Sequence, residues 1–219
     1  MMKKPYVIIN CAISVDGKLA LPTRKQIRIS SEEDIVRVHK LRNECDAILV
    51  GVGTILTDNP KLTVKEKYVP NPRQPIRVVL DTYCRTPRDA LVVNKAAPTW
   101  IITGSRYENK YGGNVEIIPC STTKNGYIDL HMLLKLLVDR GIRKLLVEGG
   151  GTTIWSFLKE RLVDDLYIYV GSIIIGGKNT PTMVDGEGFR ENKVLKLSLK
   201  EFKTLGDGLL LHYKIRFEE

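Results

Sequence analysis

The apolar run Leu145-Leu146-Val147 breaks into Glu148-Gly149-Gly150-Gly151-Thr152, and this junction constrains the fold more tightly than any other stretch of the 219 residues. A short strand that ends in an acid and glycines, then continues as an amphipathic stretch, reads as a strand-to-helix turn of an open α/β sheet. Consecutive glycines admit positive φ and close backbone approach. Their N–H groups, ahead of a helix N-terminus, make a cradle suited to phosphate or pyrophosphate. A tight turn without any ligand explains the same five residues equally well.

The rest of the chain alternates strands and helices. Tyr6 to Ile13 is a nearly unbroken apolar run, as expected of a strand buried on both faces. A polar loop from Ser14 to Arg28 follows, and Ser31 opens a helix with Glu32, Glu33 and Asp34 in its first turn, where acids favour the dipole. Further strands are predicted at Ala47 to Val50, Ile76 to Leu80, Thr99 to Ile102 and Val115 to Ile118. Asp129 caps a helix in which Leu130, Leu133, Leu134, Leu137 and Val138 recur at helical spacing, and Gly141 ends it. Arg143 to Val147 feeds the glycine turn and a helix from about Thr153 to Arg161. A strand at Leu166 to Val170 precedes a hairpin, Val194 to Phe202 and Leu209 to Phe217 about Gly206-Asp207-Gly208. The expectation is one α/β domain over residues 1–219, with a mixed central sheet flanked by helices and a C-terminal antiparallel hairpin.

The net charge of +9 points to an anionic ligand. The basic residues are dispersed and few aromatics are available for stacking, so phosphorylated small molecules fit the charge better than nucleic acid. Cys11, Cys45, Cys84 and Cys120 are far apart, as are His39, His131 and His212, so no zinc spacing exists and a metal-free site with reduced thiols is expected. No apolar run approaches the roughly 20 residues that span a bilayer, and the chain reads as cytoplasmic, without a membrane partner.

A second glycine site, Gly51-Val52-Gly53-Thr54-Ile55-Leu56-Thr57-Asp58-Asn59-Pro60, follows the Ala47 strand. It begins like G-x-G-x-x-G, but Leu56 takes the third glycine position, and the Gly149 site has Ile154 there. Neither continues as a P-loop. Arg42 falls inside the apolar stripe of Ile35, Val38, Leu41 and Cys45, where an inward-facing guanidinium must be paired, with a protein carboxylate or a ligand phosphate; a snorkelling or salt-bridged arginine explains the position equally well. Asp16-Gly17-Lys18 and Asp81-Thr82 end two further strands; each alone is explained by a turn or a loop cap.

Together these motifs resemble the reductases of riboflavin biosynthesis, which share the dihydrofolate-reductase-like fold. The resemblance is carried in family order by Asn10-Cys11-Ala12-Ile13-Ser14-Val15-Asp16-Gly17-Lys18-Leu19-Ala20, Leu41-Arg42, Asp46 to Gly51, Thr54-x-x-x-Asp58-Asn59-Pro60-x-Leu62-Thr63, Leu80-Asp81 and Val147-Glu148-Gly149-Gly150, within Tyr6 to Phe217. It implies NADPH, with NADH as the alternative, as hydride donor and a ribosylaminopyrimidine 5′-phosphate as substrate. It further implies Ala12, Thr54, Asp58, Asp81, Thr82, Gly149, Gly150, Gly151 and Thr152 at the cofactor. Lys18, Ser30, Arg42, Asn59, Leu62, Lys65 and Glu148 fall at substrate positions, with Arg42 and Lys65 as phosphate ligands. Bacterial relatives often carry Arg where Lys65 stands; Lys keeps the charge and loses the bidentate fork. Glu148 and Lys18 are the catalytic candidates, Glu148 to orient the pyrimidine edge or ribose hydroxyls and move a proton, Lys18 to polarise ribose oxygens as the ring opens.

The H-x-E and P-C-x-x-C signature of the fused zinc deaminase is absent. A stand-alone reductase of this kind resembles the archaeal and fungal branch, which acts on 2,5-diamino-6-ribosylamino-4(3H)-pyrimidinone 5′-phosphate. The alternatives are reduction of the deaminated 5-amino-6-ribosylaminouracil 5′-phosphate, dihydrofolate reduction, or a non-catalytic nucleotide-binding module. Family members are typically homodimers, and the long apolar segment Tyr167 to Ile175 is read as the matching interface or as a buried strand.

Overall fold

The computed structural model describes residues 4–216; Phe217, the expected end of the last strand, lies outside them. In chain order the elements are β1 (Tyr6–Ser14), α1 (Glu32–Glu44), β2 (Ala47–Gly51), α2 (Val52–Asp58), β3 (Ile76–Leu80), β4 (Thr99–Thr103), β5 (Val115–Pro119) and α3 (Leu130–Asp139). They continue with β6 (Lys144–Gly149), α4 (Gly151–Lys159), β7 (Asp165–Gly171), β8 (Leu197–Leu205) and β9 (Gly208–Ile215). The strands hydrogen-bond in the order β5-β4-β3-β2-β6-β1-β7-β9-β8. The sheet is mixed: β2–β3, β3–β4, β4–β5 and β1–β7 are parallel, whereas β7–β9 and β8–β9 are antiparallel.

Two compact units divide the chain. The first joins the segment up to Tyr6 with His39–Leu146. Its strands are short apolar runs, and Ile48, Leu49, Val78, Val79, Ile101 and Ile102 are all buried, as parallel strands covered on both faces must be. Asp129 accepts hydrogen bonds from the backbone N–H groups of His131 and Met132 and so caps α3. Leu133, Leu134 and Leu137 of that helix are fully buried, and truncating any one of them to Ala costs about 2–5 kcal/mol. Gly141, at φ 92°, ends the helix in a conformation that a side chain resists.

Arg77 stands in β3 with no solvent exposure. Its two terminal nitrogens donate to the carbonyls of Lys61, Leu91, Asn94 and Ala97 and to Asn94 Oδ1, while the buried Nε has no hydrogen-bond partner. Burial pushes its pKa down to about 10, which still leaves it charged at neutral pH.

The second unit joins Val7–Val38 with the chain from Val147 onward. Val7, Ile8, Ile9, Phe157, Leu158 and Leu166 form its core. The hairpin of β8 and β9 turns through Gly206-Asp207, and β8 is an edge strand that leaves Leu199 and Phe202 in solvent.

Several boundaries depart from the sequence expectation. The loop expected at Gly51 to Pro60 is mostly α2: Gly53 is helical, and the helix ends at Asp58, with Asn59 as a left-handed cap at φ 43°. The glycine turn shrinks as well. Glu148 and Gly149 belong to β6, α4 starts at Gly151 instead of Thr153, and Gly150 alone (φ 70°, ψ 133°) makes the connection. On α1 the apolar residues Ile35, Val38 and Leu41 are only half-buried. Asp34 and His39 take the buried positions instead, and both have hydrogen-bond partners that offset their desolvation.

Candidate active site

In the first unit, the segment after α2 is shaped largely by side chains from other elements. The Asn59 N–H returns to the Ile55 carbonyl at 3.1 Å, and its Oδ1 accepts from the Leu91 N–H at 2.7 Å. The Lys61 carbonyl accepts from Arg77. Arg42 donates to the Thr63 carbonyl at 3.1 Å. Gln74 satisfies both polar groups of Val64, accepting from its N–H at 2.9 Å and donating to its carbonyl at 2.8 Å. The Lys65 N–H donates to His39 Nδ1 at 3.1 Å. Asn59 and Leu62 both adopt positive φ, a conformation that costs a non-glycine residue on the order of 1–3 kcal/mol and persists only where the surroundings over-determine it. Five side chains supply that determination.

Within this segment the Asn59 and Lys65 residues are exposed, whereas Leu62 is buried. Leu62 therefore anchors the loop, and the polar groups on either side of it are the ones that solvent reaches. Thr54 and Asp58 lie half-buried on α2. Arg42, expected to pair with a protein carboxylate or a ligand phosphate, gives one donor to the Thr63 backbone carbonyl.

Asp81, expected at a cofactor, is turned into the protein. Its side chain is fully buried. Oδ2 accepts from the Thr86 N–H at 2.7 Å and the Thr86 hydroxyl at 2.8 Å, and Arg85 Nε lies 3.9 Å from Oδ1. The carboxylate fixes the turn after β3, and solvent does not reach it. Thr82, half-buried, accepts from the Gly104 N–H through its carbonyl at 2.9 Å.

In the second unit, Asp16-Gly17-Lys18 is a closed turn. The Ser14 N–H donates to the Lys18 carbonyl, the Lys18 N–H donates to Ser14 Oγ, and Gly17 takes φ 78°. Asp16 accepts from Ser14 Oγ at 2.6 Å and from the N–H groups of Ile175 and Gly176 at 3.0 and 2.7 Å. These bonds, the Ser14 hydroxyl foremost, hold its carboxyl down at about 2. Lys18 is half-buried and bridges to Thr182, Ala12 is half-buried on β1, and Glu148 is half-buried on β6. Ser30 donates to the buried Asp34, which pairs with Arg37, which in turn donates to Asn10 Oδ1 at 2.7 Å.

The glycine junction fits a phosphate in part. The Ile154 N–H closes the first turn of α4 on the Gly150 carbonyl, so the N–H groups of Gly151, Thr152 and Thr153 have no partner inside the helix. Gly150 and Thr152 are exposed, and both suit an anion at the positive end of the dipole. Gly151 differs. It is buried, and a Cβ there would sit 2.6 Å from the Thr182 carbonyl oxygen and 2.7 Å from Asp185 Oδ2. That side of Gly151 is packed by protein, because the 182–185 loop needs the glycine for its own close approach.

Sequence reasoning missed Asp34, Arg37, His39 and Arg77. The available signals were a polar pair three residues apart on one helix, His39 and Arg42 at the same spacing, and an arginine in the middle of the apolar run Ile76 to Leu80. Among the described residues no group of three or more His, Cys, Asp or Glu side chains is arranged to hold a metal ion. No helix among them is long and apolar enough to cross a membrane.

The model of the RibD C-terminal domain family matches residues 5–211. The chain belongs to that family. It is 41% identical over 214 residues to the 2,5-diamino-6-ribosylamino-4(3H)-pyrimidinone 5′-phosphate reductase of Archaeoglobus fulgidus, covering 94% of this chain and 95% of that one. Identity to the reductase of the same name from Methanothermobacter thermautotrophicus is 40%, over 97% and 99% of the two chains. A solved deaminase/reductase of Thermotoga maritima superposes with a TM-score of 0.82 at 26% identity, over 97% of this chain and 57% of that larger one. As a RibD C-terminal domain with relatives named as reductases, the protein is an oxidoreductase, which implies a nicotinamide cofactor.

Proposed function

We propose that the chain is a reductase domain that uses NADPH to convert 2,5-diamino-6-ribosylamino-4(3H)-pyrimidinone 5′-phosphate to its ribitylamino product in riboflavin biosynthesis. The observation that carries this reading is the end-to-end match, at 40–41% identity, to relatives bearing that name. Bound NADPH would supply a hydride to C1′ once the ribosylamine ring has opened to the imine. In the first unit Arg42 and Lys65 supply positive charge for the 5′-phosphate, with Asn59 offering a polar side chain beside them. Thr54 and Asp58 on α2 are the cofactor contacts of that unit. In the second unit the N–H groups at Gly150 and Thr152 hold a cofactor phosphate, and Ala12 borders the nicotinamide. Lys18 polarises the ribose oxygens, Ser30 accepts a hydrogen bond, and Glu148 orients the substrate and moves a proton.

We also propose a cytoplasmic homodimer. The exposed Leu199 and Phe202 on the edge strand β8 support self-association, as apolar groups set among the charges of Lys200, Glu201 and Lys203. Sedimentation velocity tests it: a concentration-independent monomer rules the dimer out.

NADPH oxidation, followed by absorbance with the 2-amino and 2-oxo ribosylaminopyrimidine phosphates in parallel, tests the activity. Faster turnover of the 2-amino substrate supports the reading. Faster turnover of the 2-oxo compound assigns the chain to the deaminated substrate, and turnover of dihydrofolate alone refutes the proposal. Replacing NADPH by NADH in the same assay decides the cofactor.

A further inference from the structure

His39 is one of the few buried polar residues of α1, with 5% of its surface exposed. Its Nδ1 accepts the Lys65 N–H at 3.1 Å. A nitrogen that accepts a backbone N–H carries a lone pair, so in this arrangement Nδ1 is unprotonated. The contact is one half of a clasp. The Lys65 carbonyl accepts from the N–H groups of Tyr68 and Val69 at 3.0 and 3.2 Å. That turn brings Tyr68 back over His39, where the rings stack with centroids 4.7 Å apart and planes inclined by 26°. Both polar backbone groups of Lys65 are thus fixed, one by the His39 ring and one by the turn that lays Tyr68 on that ring. With its backbone held, the Cα–Cβ direction of Lys65 is fixed as well, and the exposed ammonium works from a set origin.

Arg42 lies three residues further along the same helix and donates to the Thr63 carbonyl. Residues at this spacing share a helix face. One face of α1 therefore holds the loop at Thr63 and again at Lys65, and one of the two holding side chains is itself a cation.

We infer that His39 is a positioning residue for the substrate phosphate. It fixes the backbone of Lys65, and so the place of its ammonium, relative to Arg42. The inference rests on the reading of the chain as a reductase of a phosphorylated ribosylamine. Lysine is a flexible point charge, and without a fixed backbone its contribution to phosphate binding is diluted over many rotamers. His39 never touches substrate in this account.

Two substitutions separate positioning from packing. His39→Leu keeps an apolar body and loses the acceptor. His39→Asn loses the ring and places an amide oxygen near the position of Nδ1, keeping the acceptor. With saturating NADPH, His39→Leu is expected to raise KM for the phosphorylated substrate by about tenfold while kcat stays within about twofold, the pattern of lost uniform binding. KM for the dephosphorylated ribosylaminopyrimidine should match the parent's. His39→Asn should recover most of the loss in KM even if it melts at a lower temperature, since the stacking partner of Tyr68 is gone.

Equal KM ratios (phosphorylated to dephosphorylated) in the parent and His39→Leu overturn the inference and leave the functional reading intact. So does a loss shared by both variants that tracks their melting temperatures and ignores the phosphate. A parent protein that reduces neither pyrimidine overturns the functional reading, and this inference with it.

Discussion

Ser30 Oγ donates to Asp34 Oδ2 at 2.6 Å, joining the residue before the helix cap to the first buried carboxylate of α1. Asp34 also pairs with Arg37 at 2.7 Å, and its own N–H is capped by Ser31 Oγ at 3.2 Å. The hydroxyl proton of Ser30 is thereby directed at Asp34, and what Ser30 presents to a ligand is lone pairs. Asp34→Asn leaves Arg37 without its carboxylate. Breaking a buried ion pair costs about 3–5 kcal/mol, and the cost here belongs at the lower end because the Arg37 side chain keeps 18% of its exposure. For a chain of this size each kcal/mol moves the melting temperature by roughly 2–4 °C, so a drop of about 6–12 °C is expected. A thermal melt that coincides with the parent's would show that the Ser30–Asp34–Arg37 network adds nothing to stability.

The two glycine sites respond to alanine in opposite senses. Gly53 is helical, and a Cβ there meets nothing within 4 Å. Gly53→Ala should stabilise the apo protein by about 0.5–1 kcal/mol through helix propensity alone. At Gly151 a Cβ meets the Thr182 carbonyl oxygen and Asp185, so Gly151→Ala should destabilise by about 1–3 kcal/mol as the 182–185 loop is displaced. Urea midpoints with unchanged slopes check both. Stabilisation by Gly151→Ala would mean that the loop does not rest on α4 in solution.

What could be read from the sequence, and what could not, divides on physical grounds. β2, an unbroken apolar run, and α3, with its cap and leucine stripe, were legible because local pattern and burial agree there. The hairpin was legible from Gly206-Asp207. α1 was not, because Asp34 and His39 are made compatible with burial by partners remote in sequence, Asn10 through Arg37 and Lys65 directly. Charge at those positions looks like solvent exposure until the partners are known. The glycine stretches misled in the other direction: Gly53 and Gly151 mark helix interiors or close approach, and only Gly150 needs its unusual backbone angles. The burial of Asp81 against Thr86 was likewise not legible, because its partner lies in the turn beyond the strand-end motif.

Two titrations bound the pH range over which the second unit keeps its local structure. The carboxyl of Asp16 sits at about 2, below its ordinary 3.8. Its contribution is therefore present above about pH 4 and is lost as pH falls toward about 2. Amide hydrogen exchange at Ile175 and Gly176, which donate to Asp16, should accelerate relative to β7 over that interval once corrected for intrinsic rates. Uniform protection across it would detach the loop from Asp16.

Cys11 behaves with the opposite sign. Burial pushes its thiol up to about 12 from an ordinary 9, with Arg37 opposing and Asp34 adding to the shift. The folded state favours the neutral thiol, so its contribution is complete below about pH 9 and declines as pH rises toward about 12. All four cysteines are buried and unpaired with one another, and thiolate is the reactive form. Disulfide-exchange reagents at pH 8 should label the native protein slowly and all four thiols at once after unfolding. Fast labelling of Cys11 in the native protein would contradict its burial.

Arg42 is the most informative single substitution. Its known bond, to the Thr63 carbonyl at 3.1 Å, is charge-assisted and contributes about 1.5–3 kcal/mol. A guanidinium carries five donors, so this bond leaves capacity for a phosphate. Arg42→Met suits the helix and the half-buried position, and should lower the melting temperature by about 3–12 °C, combining that loss with the size scaling for a chain of this length. If Arg42 also binds the substrate 5′-phosphate, KM for the phosphorylated substrate should rise by more than about tenfold, since a charged hydrogen-bonded contact is lost. The dephosphorylated analogue should be handled alike by parent and variant, apart from any effect of the loosened loop. Arg42→Lys decides between charge and shape: it keeps the charge and loses the fork, so recovery of KM assigns Arg42 a general electrostatic role. Failure to recover, with the melting temperature restored, assigns it bidentate recognition. A melting temperature that falls in Arg42→Met with no phosphate-dependent change in KM would make Arg42 a holder of the Thr63 loop alone.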